Sequence, residues 1–363
     1  MRRLLLFLCP LLILWNDTKL QGQKNDFRKQ VERIIKYDSD LDFDLTPSFL
    51  VGMVDHTHNQ IEVFGNKFAN YEKLDSLSVF ELGSISKVIS SEILFSMVNE
   101  KMLSLSSELN DLIPDEYYNP RMKGVTLEHI FKFESKLPHV FKGKGLYEND
   151  PRNPYEYFSK TNLLEFYKNY IPEADLIGNS YSDTDFALLE IILERSSSKT
   201  FEDLIQHYIN DRIGTQFFSS AHEQKESVVA SGMNRSGLEG EPLVFQSFAA
   251  SEGIKGSIKD VLTLMQYLIT KNQDKIETKE QFKSKPETWT SRIRGFEGLY
   301  VVDAGKSSYP FVSNGLTNIH HSFIGFLPRT QTAVVVLANS ATGTKDLGLL
   351  TLRMINNNWK RKN

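Results

Sequence analysis

The stretch Phe80-Glu81-Leu82-Gly83-Ser84-Ile85-Ser86-Lys87 decides how this chain is read. It closes an extended apolar run that ends near Val79 and Phe80, and Gly83 gives the backbone freedom directly before a serine. From Ser86 to Met102, the apolar residues Val88, Ile89, Ile93, Leu94 and Val98 keep the spacing of one helical face. Ser84 and Lys87 therefore fall at or near that helix's first turn, where backbone amides and the positive dipole end favour an oxyanion. Lys87 lies three residues on, one turn away on the same face, with its nitrogen in reach of the serine oxygen. A buried lysine beside other donors loses part of its preference for the charged form, which lets it accept a proton. The same two residues also fit an N-capping serine with a surface lysine one turn on, so the pair alone leaves both readings open. Ser196 to Lys199 repeats the Ser-x-x-Lys spacing in a setting of capping and solvation: it closes one helix, and Thr200 with Asp203 forms a capping box for the next.

Around this stretch, the 363 residues are 40% apolar and 24% charged, the composition of a soluble globular chain with a large core. A formal charge of -4 and a pI near 6.1 lack the basic footprint of a nucleic-acid binder, and no nucleic-acid partner is expected. Arg2 and Arg3 precede an apolar run from Leu4 to Trp15, and polar sequence follows from Asn16. That is the layout of a signal peptide, read over residues 1–22 with a cut after Gly22. The run is short for a bilayer and is interrupted by Pro10, so no stable membrane insertion is expected once it is cleaved. The mature chain is then exported, periplasmic or extracellular, or membrane-tethered if the leader is kept. Cys9, the single cysteine, lies in the leader, which excludes disulfides, a thiolate nucleophile and cysteine-ligated zinc from the mature part.

Phe49 to Val54 and Gln60 to Phe64, joined by Asp55-His56-Thr57-His58-Asn59, predict a β-hairpin. From about Val125 to Leu268 the pattern is mostly helical, with helices expected over 127–133, 162–170, 183–194, 201–208 and 258–269. Strands return over 296–302 and 332–337, and a helix near 345–355 leads into a polar tail. Strands at both ends of a helical middle predict an α+β chain, with one sheet built from the N- and C-terminal segments. The sheet lobe is placed at about 45–115 and 285–360 and the inserted helical lobe at about 116–284, all within a single domain over 23–363. A cleft between lobes is the natural place for a site.

The run Phe80 to Lys87 resembles the nucleophile segment of the serine β-lactamase-related family, which holds class C β-lactamases, DD-peptidases, D-aminopeptidases and related esterases. Leu103-Ser104-Leu105, Leu109 to Pro114 and Val125-Thr126-Leu127-Glu128-His129-Ile130 are similar to the stretches that follow it. Of the family's His-Thr-Ser-Gly-Leu-Pro, half remains in Phe133-Glu134-Ser135-Lys136-Leu137-Pro138. Tyr181-Ser182-Asp183 matches the second motif, a tyrosine followed two residues later by Asn or Asp. Ala250-Ser251-Glu252-Gly253-Ile254, with Ser257 and Asp260, resembles the Gly-Gly loop and supports fold more than chemistry. The third motif, Lys-Thr-Gly or His-x-Gly, finds its best match in Ser313-Asn314-Gly315, anchored by Thr317, Ser322, Phe326-Leu327-Pro328 and Val334 to Ser340. A neutral hydroxyl thus replaces the usual cation.

The resemblance spans roughly Phe49 to Asn356 and implies a β-lactamase/DD-peptidase-like fold, an antiparallel sheet flanked by helices with the helical lobe inserted. It implies Ser84 as nucleophile, Lys87 and Tyr181 as proton-handling partners, and the amides of Leu316 and Ser84 as an oxyanion hole. Asp183, Ser313 and Gly315 belong to the substrate side of the site. The function it implies is an exported serine hydrolase acting through an acyl-enzyme on an ester or peptide, with poor β-lactam turnover because Ser313 offers no charge to a substrate carboxylate. The alternative is an inactive envelope protein that binds a peptide or glycan in the same cleft. No cofactor is called for. His56 and His58 sit in a turn without ligand partners, so no metal is expected. His320 and His321, adjacent on a strand or turn, point in different directions and are read as structural or solvent-exposed.

Overall fold

The computed structural model describes residues 26–37, 46–55, 59–65, 73–132, 134–138, 153–172, 182–219, 229–272, 293–296, 298–302 and 310–360. The leader, Cys9, His56, His58 and Tyr181 lie outside the described residues.

In chain order, helix α1 covers residues 26–37 and the hairpin β1 (Ser48–Val54) and β2 (Asn59–Gly65) follows, then β3 (Val79–Glu81). Next come α2 (Ser86–Asn99), α3 (Leu109–Leu112), α4 (Leu127–Lys132), α5 (Lys160–Asn169), α6 (Asp183–Ser197), α7 (Phe201–Ile205) and α8 (Asp211–Ile213). Short strands β4 (Phe218–Ser219), β5 (Gly232–Met233), β6 (Glu239–Gly240) and β7 (Ile254–Ser257) precede α9 (Ile258–Asn272). The chain closes with β8 (Ile293–Phe296), β9 (Leu299–Val302), β10 (Phe311–Leu316), β11 (His321–Leu327), β12 (Thr332–Ala338) and α10 (Lys345–Lys360).

The main sheet has seven strands in the order β2-β1-β12-β11-β10-β9-β8, and every neighbouring pair is antiparallel. The N-terminal hairpin joins it through β1 and β12, with Val51 opposite Val336, so sequence ends nearly 300 residues apart make one sheet, as expected. The reason lies in the composition of β12. Its run Thr332-Ala333-Val334-Val335-Val336-Leu337-Ala338 is buried throughout, because one set of alternate residues enters each of two cores. Ala333, Val335 and Leu337 face the core shared with α2, α6 and α9. Val334, Val336 and Ala338 face a second core with Phe27 and Val31 of α1 and Leu347 and Leu352 of α10. Each such valine or leucine contributes about 1.5–3 kcal/mol on burial.

Two differences from the sequence reading concern this sheet. The single strand expected over 296–302 is a pair, β8 and β9, whose register sets Phe296 opposite Leu299 with Gly298 at φ +75°; the sequence break is only the two residues Glu297-Gly298. Helix α9, which the boundary near 284 puts with the helical lobe, lies on the sheet. A Cβ on Gly52 of β1 would stand 2.8 Å from the side chain of Leu262, so glycine is what lets that helix lie close. A second, three-stranded sheet, β3-β7-β4, joins the start of the nucleophile segment to the residues before α9. Among the described residues, no helix is long and apolar enough to cross a membrane.

Candidate active site

Ser84 lies in a single 3-10 turn, Gly83–Ile85, that feeds directly into α2. The turn is fixed on both sides. Leu82 N–H donates to the carbonyl of Ile254 at 2.9 Å, and Ile254 N–H donates to Ser86 Oγ at 2.9 Å, so β7 grips the turn before and after the serine. On the other side stands β10. Gly83 has φ +52°, and a Cβ there would meet the Leu316 nitrogen at 2.7 Å, while a Cβ on Gly315 would run into the Leu82 carbonyl. Both glycines are needed for turn and strand to approach, and Ser322 Oγ closes the contact by donating to Leu82 O at 2.7 Å. Leu316 N is thereby brought beside the residue preceding Ser84.

One residue earlier, buried Glu81 accepts from Thr317 Oγ1 at 2.6 Å and from Leu243 N–H at 2.6 Å. Its own N–H donates to His320 Nδ1 at 3.1 Å, which leaves His320 Nε2 to donate to the carbonyl of Ala230 at 2.9 Å. His321 turns the other way, toward Asn314 Oδ1 at 2.8 Å and the carbonyl of Thr342 at 3.0 Å. The two histidines do point apart, and both are buried rather than solvent-exposed. They anchor the strand that carries Gly315.

Lys87, in the first turn of α2, is completely buried. Its Nζ lies 3.1 Å from Ser84 Oγ, 3.1 Å from the carbonyl of Ser251, 2.7 Å from Glu252 Oε1 and 2.8 Å from Asp183 Oδ1. Ser84 Oγ in turn donates to Glu252 Oε1 at 2.5 Å. Nucleophile, lysine and Asp183, the first residue of α6, therefore come together, and Asp183, which the resemblance put on the substrate side, is instead ion-paired with Lys87. Glu252 joins them from a π-turn, Ala249–Gly253, a local widening that recurs at functional sites. Phe248 holds φ +70° at its start, Ala250 N–H donates to Glu190 at 3.0 Å, and Ser90 Oγ donates to the carbonyl of Ala250 at 2.7 Å.

The electrostatics correct one expectation. Burial does pull Lys87 toward the neutral form, but the charges and hydrogen bonds of Asp183 and Glu252 outweigh it and hold the lysine well above its ordinary value. That balance favours the ammonium form, in which Lys87 has no lone pair to offer Ser84. The carboxylates move the other way from the usual salt-bridge pattern. Burial, with Asp183 adding to it against Lys87 and Ser84, pushes Glu252 up to about 7. Burial also pushes Asp185 well above the carboxylate range, against the Ser135 hydroxyl and Lys87, with Asp183 adding to the rise.

Of the remaining sequence candidates, Ser313 is fully buried on β10, two residues before Gly315 and on the same strand face. Its Oγ has no hydrogen-bond partner among the described residues. Asn314 faces the other core and holds His321. Lys136, at the glycine position of the half-kept motif, adopts φ +66°, so the backbone there keeps a left-handed conformation that glycine would take without cost. Ser135 Oγ accepts from Leu137 N–H at 3.0 Å, and Ser182 Oγ donates to the carbonyl of Pro138 at 2.9 Å, which ties that segment to the start of α6. The second Ser-x-x-Lys is a helix end: Ser198 caps α6 at φ +56°, and Thr200 with Asp203 forms the capping box of α7. Among the described residues, no group of His, Cys, Asp or Glu is arranged to hold a metal ion.

Sequence reasoning missed Glu252 and Asp185 as members of the site. For Glu252 a signal existed, a carboxylate where the Gly-Gly loop of the related family carries glycine. Asp185 lies two residues past the tyrosine motif and gave no signal beyond its charge.

Comparison with known proteins gives the family and the fold. The family model described as Beta-lactamase matches residues 53–355. The fold is similar to a class C beta lactamase from Rhodobacter sphaeroides, with a TM-score of 0.69 and 16% identity over 92% of this chain and 99% of that one. It is similar to a beta-lactamase/D-alanine carboxypeptidase from Pseudomonas syringae, with a TM-score of 0.69 and 14% identity over 92% and 99% of the two chains. A penicillin-binding protein homologue from Pyrococcus abyssi gives 0.71 and 17% over 93% of this chain and 77% of that one. No curated protein matches the chain in sequence.

Proposed function

The chain belongs to the beta-lactamase family, a family of serine hydrolases, and on that premise we propose that it is an exported enzyme that cleaves an ester or amide through an acyl-enzyme on Ser84. The single observation that carries this reading is the Ser84 hydroxyl itself, hydrogen-bonded to a buried carboxylate and to Lys87 at the mouth of α2. A protein that only bound a ligand would have no use for that arrangement, since a buried ammonium held by two carboxylates is costly to assemble. In the reaction, Ser84 Oγ attacks the substrate carbonyl, the amides of Ser84 and Leu316 receive the developing oxyanion, and water later clears the acyl group. Tyr181 serves as proton relay toward the leaving group in this reading.

Export rests on the leader over residues 1–22. The substrate preference rests on β10: where the family carries a lysine or histidine, this chain has Ser313, buried and uncharged, so a substrate carboxylate meets no cation there. Penicillins and D-alanyl peptides carry such a carboxylate, and simple esters and amides do not. The test is to incubate the mature protein with a fluorophosphonate and with a fluorescent penicillin, beside Ser84→Ala. Labelling by the fluorophosphonate that disappears in Ser84→Ala, with slow penicillin turnover, is the expected result. Labelling that persists in the variant removes Ser84 as nucleophile, an absence of labelling by either probe favours the binding protein, and penicillin turnover at the pace of a dedicated β-lactamase overturns the substrate preference.

A further inference from the structure

We propose that Glu252, and not Lys87, is the base that takes the proton from Ser84, with Lys87 positioning both the carboxylate and the hydroxyl. The inference rests on the acyl-enzyme reading above and adds to it a residue that the family motifs do not supply. Three observations carry it. The Ser84 Oγ proton is directed to Glu252 Oε1 at 2.5 Å, within the distance proton transfer needs. The Lys87 nitrogen is surrounded by four acceptors, Ser84 Oγ, Ser251 O, Glu252 Oε1 and Asp183 Oδ1, which is more than its three hydrogens can satisfy. Glu252 itself sits on the π-turn, held in place through Glu190 and Ser90, so the oxygen that accepts is fixed rather than swinging from a mobile side chain.

The groups facing Glu252 are Lys87 from α2, Ser84 from the turn before it, and Asp183 from α6, with Asp185 and Glu190 further along the same helix. Of the other elements packed on the π-turn, β4 brings no charged residue and β7 carries the buried Lys255. Burial among these groups keeps Glu252 basic, up to about 7, where a general base works best near neutral pH. The Ser84 O–H bond breaks as its proton passes to Glu252 Oε1, the Oγ–carbon bond forms, and the carbonyl pair moves onto oxygen. On collapse, the bond to the leaving group breaks and that group takes the proton from Glu252, relayed through Tyr181. Water then gives a proton to Glu252 as it attacks the acyl carbon, and Ser84 recovers its proton from Glu252 as the acid departs.

A base must be ionised to work, so the rate is present above the Glu252 pKa and lost as pH falls through it. The experiment measures the second-order rate of fluorophosphonate labelling of Ser84 from pH 5 to 9 in the full mature chain, in wild type and in Glu252→Gln, Glu252→Asp and Asp183→Asn. The chemistry is the same proton transfer, with an Oγ–phosphorus bond formed and fluoride expelled. Wild type is expected to lose about tenfold per pH unit below a midpoint near 7. Glu252→Gln is expected to be slower by about 10²- to 10⁴-fold and to have no such limb, and Glu252→Asp to regain part of the rate with a displaced midpoint. A Glu252→Gln protein with the wild-type limb overturns the proposal, and a limb that vanishes only in Asp183→Asn reassigns the base. If circular dichroism shows Glu252→Gln unfolded, an unmoved midpoint in Glu252→Asp overturns it instead. Wild type that is unlabelled at every pH defeats the hydrolase reading itself, an outcome distinct from a labelled wild type indifferent to residue 252.

Discussion

Oε1 of Glu252 accepts from Ser84 at 2.5 Å and from Lys87 at 2.7 Å, so the reactive proton and the compensating charge meet at one atom. Around them the chain buries Asp183 and Asp185 as well, and one ammonium cannot neutralise three carboxylates. Burial displaces Asp185 well above the carboxylate range, which favours its protonated form in the folded chain and relieves the excess. The consequence for stability has a definite sign. Below the ordinary value of 3.8 Asp185 is protonated in both states, and as pH rises past it only the unfolded chain releases the proton. Stability from this group is therefore fully present at low pH and is lost as pH rises toward the folded pKa. Asp185→Asn keeps the shape and removes the titration. Its melting temperature relative to wild type is expected to improve from pH 4 to pH 8, measured by circular dichroism; a difference that is constant across that range contradicts the account. None of this was legible from residues 80–87, because Ser84 and Glu252 are 168 positions apart and only packing brings them together.

The nucleophile turn, β7 and β10 form the next scale up, and their fit depends on two glycines facing each other. A methyl on Gly315 would collide with the carbonyl of Leu82 and with Ser322, forcing the strand from the turn. Displacement of about 1 Å at a reacting centre costs on the order of 10²-fold in rate. Gly315→Ala is thus expected to remain folded and to label with fluorophosphonate about 10²-fold more slowly, and labelling at the wild-type rate would show that the close approach is not what arms Ser84. Elements of this kind were legible where local pattern and tertiary demand coincide. The hairpin β1–β2 and strand β12 read directly, because a strand buried on both faces is a continuous apolar run. The spacing of Val88, Ile89, Ile93 and Leu94 gave α2 for the parallel reason. The β8–β9 reversal escaped, since β8 carries Arg294 and Gly295 and shows little strand pattern, and only Glu297-Gly298 marks the turn. Helix α1 also went unread, although Phe27, Val31, Ile34 and Ile35 keep a helical spacing among charged residues. The position of β10 came from resemblance, since Ser313-Asn314-Gly315 carries little pattern of its own.

For the molecule as a whole, the antiparallel sheet is the organiser, with α1 and α10 on one face and α9 with α2 on the other. Chain ends supply the sheet and the middle supplies α6 and the π-turn, so the site can form only when remote segments meet at the end of α2. The order of motifs along the chain was legible for that reason, as order fixes which segments must converge. The charges inside the site were not, because a buried lysine reads as a base until its carboxylate partners are seen. What the whole arrangement exists to do, in this account, is to form an ester on one serine. Rapid quenching of the mature protein with p-nitrophenyl butyrate, followed by intact-mass and peptide mapping, measures that directly. One butyryl group is expected on the peptide that contains Ser84, and neither adduct nor ester turnover in Ser84→Ala. Turnover that survives in Ser84→Ala, or an acyl group mapped to another residue, would contradict it.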